Sequence, residues 1–207
     1  MLTHLCRIAQ AFEKLGGSRI GITIMDHDTV SEANLGRQCF CEADIGQPKA
    51  IVLAQRARAF FGLDVDPEVC KLSAPHLDHS IVVGCVDNLA ARRVMSLAAT
   101  DSRSKDGSSH RYWLDIGNTA DSGQVILGGH GLPTVFDVLP QMKTMKETPN
   151  LPSCSLAEAL AKQDLFINST LANLGAHLLW QLIRRGGLNH HGYFVNLTSG
   201  NVRPIHV

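Results

Sequence analysis

The stretch Ile20-Gly-Ile-Thr-Ile-Met-Asp-His-Asp28 decides the fold of this chain of 207 residues. Its isoleucines occupy every second position between smaller residues, which is the pattern of a buried strand. Acidic side chains begin where the apolar run ends, at Met25-Asp26. A strand that ends in this way commonly forms the ligand-binding edge of an α/β sheet.

Helical and strand patterns alternate around this strand. Apolar residues at helical spacing predict a helix before it, and Gly16-Gly17 ends that helix by supplying a positive φ. Proline in the first turn marks the start of the next helix. The predicted order is a helix over 2–15, the strand, a helix over 46–61, a strand near 65–72, a strand over 81–86 and a helix over 89–100. This repeated β-α-β order predicts a parallel sheet with helices on both faces.

The second half of the chain contains further short patterns. Residues 129–153 hold four of the eight prolines, and we predict an irregular crossing loop there. The whole of 1–207 is predicted to form a single domain, because a hydrophobic content of 44% at this length suffices for one continuous core. The other predicted elements are strands over 112–116 and 124–127, helices over 155–162 and 165–185, and a hairpin of 193–197 with 202–205.

Composition excludes several classes of partner and site. The chain contains 19 basic and 19 acidic side chains, so it has no bulk field that would gather nucleic acid or an anionic membrane. No run reaches the roughly 18 apolar residues of a membrane span. The six cysteines include no CxxC pair, so we expect neither a disulfide framework nor a structural zinc site. A reducing cytoplasm is therefore the expected location.

The densest group of polar residues follows the strand at Met25. Asp26 is suited to accept two hydrogen bonds from ribose hydroxyls, whereas Arg37 offers a planar fork and Lys49 a point charge for phosphate oxygens. Asp87 ends another predicted strand and is suited to hold Mg²⁺ through one carboxylate. The group as a whole predicts a nucleotide site. Its members before residue 50 are Asp26, Asp28, Asn34, Arg37, Gln38 and Lys49.

Several motifs occur in a fixed order along the chain. They are Asp26-His-Asp-Thr-Val30, Asn34-Leu-Gly-Arg-Gln38, Asp44-Ile-Gly-Gln-Pro-Lys49 and Cys85-Val-Asp-Asn88. In these motifs and their spacing the chain resembles the ThiF, MoeB and HesA family over most of residues 19–180. Further segments are similar to the ThiF-type protein of the PRTRC plasmid cassette. These are Trp113-Leu-Asp-Ile-Gly-Asn118, Gly123-Gln-Val-Ile-Leu127, Leu151-Pro-Ser-Cys-Ser155 and the tail from His191 to Pro204.

The resemblance implies a fold, a reaction and a set of roles. The implied fold is a Rossmann-like α/β domain with a mostly parallel sheet and helices on both faces. The implied reaction is adenylylation by ATP of the C-terminal carboxylate of a small ubiquitin-like or sulfur-carrier-like protein, and a homodimer is expected. The implied roles are ribose contact for Asp26, phosphate contact for Asn34, Arg37, Gln38 and Lys49, Mg²⁺ support through ATP for Asp87, and further nucleotide contacts for Asp28 and Asn88.

The sequence departs from the family pattern at its first residues. The family normally begins with a strand and a GxGxxG loop, directly before the helix that here starts at Met1. We expect the sheet to lack this strand and the nucleotide to lack the phosphate cradle that the loop provides. A start site placed downstream of the true one, a fragment or a decayed gene would each account for the departure.

Simpler interpretations stand beside these. Asp26 and Asp28 could merely start a loop, and Asp87-Asn88 could cap the helix that follows. Cys154 aligns with a segment on which some relatives accept the activated carboxyl group, but it could equally be a buried, inert thiol. For the whole chain, the main rival is a non-catalytic scaffold that binds a ubiquitin-like partner without using ATP. A nicotinamide-binding oxidoreductase ranks third, because Arg37, Gln38 and Lys49 have no obvious role in it.

Overall fold

The computed structural model describes residues 1–36, 38–73, 79–100, 111–146 and 156–207. They form two compact units, each described by itself. The first unit comprises Met1–Leu72 and Leu151–Leu165, and the second comprises Ser73–Asn150 and Phe166–Val207. The α/β class is confirmed, whereas the prediction of a single domain stays a prediction. Among the described residues, no helix combines the length and apolar character that a membrane crossing requires.

The first unit is built on two short parallel strands. These strands pair in register from Ile22 with Val65 to Met25 with Glu68. A two-stranded sheet is marginal by itself, so the helices must supply most of the core. The elements are α1 (Leu2–Lys14), β1 (Ile22–Met25), α2 (Lys49–Phe61), β2 (Val65–Glu68) and α5 (Leu156–Lys162), with 3₁₀ turns at Glu32–Asn34 and Glu42–Asp44.

The core of the first unit lies between α1, α2 and the two strands. Its buried members are small or β-branched residues at helical and strand spacing, which allows close approach of the elements. Gly62 ends α2 with a φ of 66°, a conformation that an L side chain rarely adopts. The buried members are Cys6 and Ala9 from α1, Ile22 and Val65 from the strands, and Ala54 and Ala57 from α2.

The second unit contains a five-stranded sheet in the order β3-β4-β5-β6-β7. Only the first pair, β3 with β4, is parallel; the other three pairs are antiparallel. The strands are β3 (Ile81–Gly84), β4 (Tyr112–Asn118), β5 (Ser122–Gly128), β6 (His190–Asn196) and β7 (Asn201–His206). The helices are α3 (Leu89–Thr100), α4 (Val135–Val138) and α6 (Ile167–Arg185).

Helices cover both faces of the five-stranded sheet, as predicted. Asp115 of β4 pairs with Arg92 of α3. Residues Leu114 and Ile116, which alternate with Asp115, lie against α6, where a Cβ on Gly175 would come within 3.1 and 3.3 Å of them. Successive residues of a strand point to opposite faces, so α3 and α6 lie on opposite sides of β4.

The structure differs from the predicted sheet in its proportion of parallel pairs. Only residues 119–121 separate β4 from β5. A connection this short joins antiparallel strands, because a parallel crossover needs a dozen or more residues. The predicted hairpin is confirmed as β6 with β7. The predicted irregular loop over 129–153 contains the short helix α4 and a 3₁₀ turn at Pro140–Lys143, and its end from residue 147 lies outside the described residues.

Candidate functional site

The candidate site begins where β1 ends. The backbone N–H of Asp26 donates to the Glu68 carbonyl at 3.1 Å, which continues the parallel ladder by one residue. The Asp26 side chain then accepts the backbone N–H of Asp28 through Oδ1 at 2.9 Å. A bond from an Asp side chain to the backbone N–H two residues later forms an Asx turn, which is common in the loop after a strand. The second carboxylate oxygen, Oδ2, makes no hydrogen bond within the described part of the chain, and the residue is partly exposed.

Backbone hydrogen bonds fasten the loop after β1 to the start of α2. The N–H of Lys49 donates to the Asp28 carbonyl at 2.9 Å, and the N–H of Val30 donates to the Gln47 carbonyl at 2.9 Å. Val30 is also 2% exposed and packs in a small apolar cluster with Val52 of α2. Asp28 and Lys49, which are 21 positions apart in the sequence, are therefore held together by a backbone hydrogen bond as well as by one between their side chains.

Lys49 and Asp28 form an ion pair at this edge. The Lys49 ammonium donates to Asp28 Oδ2 at 3.0 Å. The lysine side chain is 12% exposed and the aspartate side chain 53% exposed. The ammonium thus sits at a fixed place with its charge directed toward an exposed carboxylate, and an incoming anionic group could replace that carboxylate at little cost in stability.

Asp26, His27 and Asp28 bring three metal-ligand atoms close together. One such atom from each residue lies within 4.8 Å of the others, and His27 Nε2 is 3.5 Å from Asp28 Oδ1. These donors could hold a divalent cation. The ammonium of Lys49, bonded to the same Asp28, opposes a second positive charge there. Sequence reasoning did not identify this group, since no spacing signature marks it.

Asn34 and Gln38 lie on the loop that follows. Asn34 is buried, and its Oδ1 accepts hydrogen bonds from the Ser31 backbone N–H at 2.9 Å and from the Ser31 hydroxyl at 3.1 Å. Its carbonyl accepts the Gln38 N–H at 3.0 Å. Asn34 therefore shapes the loop, and Gln38 is exposed. Contact of either side chain with a nucleotide stays a prediction. Arg37 and Cys154 lie outside the described residues.

Asp87 and Asn88 belong to the second unit, between β3 and α3. Asn88 caps the helix, because its Oδ1 accepts the Ala91 N–H at 2.8 Å. Its amide group also donates to Asp87 Oδ1 at 3.3 Å. The capping interpretation is therefore confirmed for Asn88. Asp87 is exposed immediately before the helix, and both the magnesium role of Asp87 and nucleotide contact by Asn88 stay predictions.

Sequence reasoning also missed a charged cluster near the start of α2. Asp44 accepts the Cys41 backbone N–H at 2.7 Å and the guanidinium of Arg56. The hydrogen bond from Cys41, with a contribution from Arg56, holds the pKa of Asp44 below its ordinary value. Arg56 also donates to the Cys41 sulfur at 3.4 Å and lies over the Phe40 ring at 5.8 Å. The capping pattern at Cys41–Asp44 was the available signal.

Sequence reasoning also missed a buried ion pair between α3 and β4 of the second unit. Arg92 Nε donates to Asp115 Oδ1 at 2.8 Å, and Gln124 donates to Asp115 Oδ2 at 3.4 Å. Burial raises the pKa of the Asp115 carboxyl, and Arg92 and Gln124 act against that rise. An acidic residue inside an apolar strand pattern was the only sequence signal, and it names no partner.

The chain is similar in sequence to a known protein family and to two characterised enzymes. Residues 6–185 match the ThiF family. The chain is 37% identical over 101 residues to the human ubiquitin-like modifier-activating enzyme 7. That alignment covers 47% of this chain and 10% of the human protein. It is 34% identical over 97 residues to the Yarrowia lipolytica adenylyltransferase and sulfurtransferase UBA4. That alignment covers 42% of this chain and 24% of UBA4.

Solved structures share the fold at low sequence identity. Escherichia coli MccB superposes with a TM-score of 0.62 at 16% identity, covering 98% of this chain and 58% of that one. PaaA superposes with a TM-score of 0.61 at 14% identity, covering 98% of this chain and 68% of that one. Another of the similar structures is MccB with ATP. This chain thus spans well under two thirds of the curated relatives and of MccB.

Proposed function

The chain belongs to the ThiF family, and from that premise we propose that it uses ATP to adenylylate the C-terminal carboxylate of a small ubiquitin-like or sulfur-carrier-like protein. The observation that carries the proposal is the arrangement at the end of β1. There, Oδ2 of Asp26 makes no hydrogen bond among the described residues, and the Lys49 ammonium donates to the carboxylate of the neighbouring Asp28. A sugar hydroxyl and a phosphate are the ligands that suit these two groups.

The residues of the first unit are assigned as follows. Asp26 binds the ribose hydroxyls, and Lys49 binds a phosphate oxygen. Asp28 holds the Lys49 ammonium in place before ATP arrives and gives way to the phosphate afterwards. This exchange replaces one anionic partner by another, so the buried part of Lys49 is never left without a counter-charge. Arg37, Asn34 and Gln38 are assigned to the phosphates by resemblance alone.

Asp87 of the second unit is assigned to Mg²⁺. Its carboxylate is exposed and is held through one oxygen by the Asn88 amide, which fits a cation that takes one protein carboxylate and keeps water and phosphate oxygens. When bound, Mg²⁺ would neutralise the charge that develops on the phosphate oxygens. No zinc site is part of the proposal.

The proposed reaction needs no nucleophile from the protein. A carboxylate oxygen of the substrate protein forms a bond to the α-phosphorus of ATP, and the bond from that phosphorus to the bridging oxygen of the β-phosphate breaks. The products are an acyl-adenylate and pyrophosphate. Positioning and fixed positive charge provide most of the acceleration in such transfers, which is why Lys49 and Arg37 are assigned to catalysis.

Further parts of the proposal concern partners and context. UBA4 is an adenylyltransferase and sulfurtransferase, and enzyme 7 activates ubiquitin-like modifiers, which supports a small protein of that kind as the substrate. We also propose a homodimer, a cytoplasmic location and the PRTRC subtype. Transfer of the activated carboxyl group to Cys154 belongs to the same proposal and would be detected as a thioester sensitive to thiols.

The test is the exchange of labelled pyrophosphate into ATP, together with calorimetry of Mg²⁺-ATP binding. Lys49→Met should weaken binding and slow the exchange at least about tenfold, as expected when a charge-assisted contact is lost. Lys14→Met changes an exposed lysine at the end of α1 and serves as the matched control. Asp87→Ala should abolish the dependence of binding on Mg²⁺.

A non-catalytic scaffold is the second candidate. It is favoured by the internal partners that Lys49, Asn34 and Asn88 already have in the structure. Absence of Mg²⁺-ATP binding, combined with tight binding of a ubiquitin-like protein, would establish the scaffold and reject the adenylyltransferase.

A further inference from the structure

The buried ion pair of the second unit is built into a fitted polar pocket. Asp115 is 0% exposed and Arg92 is 7% exposed. Both carboxylate oxygens of Asp115 are hydrogen-bonded, one to Arg92 at 2.8 Å and the other to Gln124 at 3.4 Å. The arginine also donates through Nη2 to the Ile116 carbonyl at 3.5 Å. The pair is thus satisfied on several sides, as a buried charge must be.

Because Gly117 has no side chain, the guanidinium of Arg92 can occupy the space beside it. A Cβ at this position would lie 2.7 Å from Arg92 Nη2 and 2.4 Å from Gln124 Nε2. Gly117 stands opposite Gln124 in the ladder between β4 and β5, so the glycine and the glutamine border the same polar pocket. Any side chain at residue 117 would have to displace the arginine or the glutamine.

A continuous series of contacts leads from this pair to Asp87. Arg92 lies in the first turn of α3, and its backbone N–H approaches the Asn88 carbonyl at 3.5 Å. Asn88 in turn caps the helix through Ala91 and donates its amide to Asp87 Oδ1 at 3.3 Å. The side chain of Arg92 is therefore bound to β4 while its backbone belongs to the turn that orients Asp87.

A buried ion pair is a poor device for stability alone. Its desolvation cost can exceed the attraction between the charges, and a well-packed apolar pair of the same volume is often as stable. Buried polar groups are better at selecting one arrangement over others, because a displaced arrangement leaves a charge unpaired. At this place, the arrangement selected is the position of the α3 N-terminus on β4.

We propose that Arg92, anchored on Asp115, is a positioning residue that holds the first turn of α3 and thereby fixes the carboxylate of Asp87 for Mg²⁺. This inference rests on the proposed function for the role of Asp87, although the anchoring itself does not depend on catalysis. Arg92 touches neither ATP nor metal in this proposal. Its effect reaches the reaction only through Asn88 and Asp87.

The first experiment measures amide hydrogen exchange of the whole chain in Arg92→Gln/Asp115→Asn. This variant removes both charges and leaves no buried ion unpaired, so it should fold. Exchange of the Ala91 and Arg92 amides, which are bonded to Asn88, should rise at least about tenfold relative to the rest of α3, as expected for loss of a charge-assisted hydrogen bond. Arg93→Met is the matched control, because Arg93 is an exposed neighbour on the same helix whose guanidinium donates to the Met145 carbonyl at 3.3 Å and not to a buried charge. Unchanged exchange of these two amides would overturn the proposal.

The second experiment is a Mg²⁺ titration of ATP binding in the same proteins. The Mg²⁺ concentration at half-saturation should rise several-fold in the double variant, while metal-free ATP binding stays as in the parent and Arg92→Lys recovers part of the loss. A merely structural role would lower the amount of binding-competent protein without moving the half-saturation point, and that outcome would overturn the inference. If the parent chain does not bind Mg²⁺-ATP, the adenylyltransferase proposal fails, and hydrogen exchange alone decides the anchoring.

Discussion

The two units contain ion pairs of nearly equal length in opposite surroundings. Lys49 and Asp28 of the first unit are 3.0 Å apart, with side chains 12% and 53% exposed. Arg92 and Asp115 of the second unit are 2.8 Å apart, with side chains 9% and 1% exposed. The first pair can exchange its exposed carboxylate for another anion. The second pair is buried, so solvent cannot stabilise either charge if its partner is removed. The same chemistry therefore suits ligand binding in one place and rigid positioning in the other.

Arg92→Met should lower the free energy of unfolding more than a substitution in the Lys49–Asp28 pair. The substitution leaves the Asp115 carboxylate buried and without its cation, a change that typically costs about 3–5 kcal/mol in the free energy of unfolding. Chemical denaturation of the variant and the parent measures the difference. Arg93→Met should stay within about 0.5 kcal/mol of the parent. A loss below about 1 kcal/mol for Arg92→Met would show that the buried pair is not tightly coupled.

The pH dependence of that loss gives a second check. Burial raises the pKa of Asp115, and Arg92 opposes the rise, so the pKa rises further when Arg92 is removed. A group whose pKa is higher in the folded than in the unfolded state stabilises the fold as the pH falls through the folded pKa. The deficit of Arg92→Met should therefore shrink from neutral to acidic pH. Denaturation at a series of pH values measures it, and a constant deficit contradicts the assignment.

Gly117→Ala should have an intermediate effect, because it crowds the same pocket without removing a charge. The added methyl group would clash with Arg92 and Gln124, and overpacking of this kind typically costs about 1–3 kcal/mol. Gly187→Ala is the control, since a Cβ there meets no atom within 4 Å. Equal thermal midpoints for the two variants would indicate that the pocket is not closely fitted around the guanidinium.

Asp44→Asn should give a smaller effect, and here the shift in the carboxyl pKa has the opposite sign. The hydrogen bond from Cys41 and the guanidinium of Arg56 hold the pKa of Asp44 below its ordinary value. A depressed pKa contributes stability above the unfolded pKa, and that stability is lost as the pH falls through the folded pKa. The variant should unfold more easily than the parent at neutral pH and equally at strongly acidic pH. A difference that persists in acid would point to lost packing rather than lost charge.

Lys49→Met should have the smallest effect on stability of the four substitutions. A pair with one exposed partner contributes about 0–1 kcal/mol, so the thermal midpoint should barely change, while binding of Mg²⁺-ATP weakens as proposed above. Asp28→Asn tests the same pair from its exposed side. A large loss of stability for Lys49→Met would assign the lysine to the fold and remove it from the proposed site.

Much of the candidate site could be predicted because its signals are local. The acidic end of β1 follows from an alternating apolar run that stops at Met25, and the start of α2 follows from Pro48, which stands directly before its first residue. Asn88 at the start of α3 was recognised as a candidate cap for the same reason. The internal use of Asn34 was not predicted, because a polar side chain on a loop gives no sign of whether it faces a ligand or its own backbone.

The sequence by itself determined the elements, their order and the polar strand ends, since these depend on residues within a few positions of one another. Only the tertiary structure decided the pairing of Arg92 with Asp115, which are 23 positions apart, and the antiparallel pairing of β5 with β4 and with β6. Both depend on contacts between elements that lie apart along the chain, and patterns within a few residues do not specify such contacts. The charged residues at the end of β1 could therefore be predicted from the sequence, whereas the buried ion pair between α3 and β4 could not.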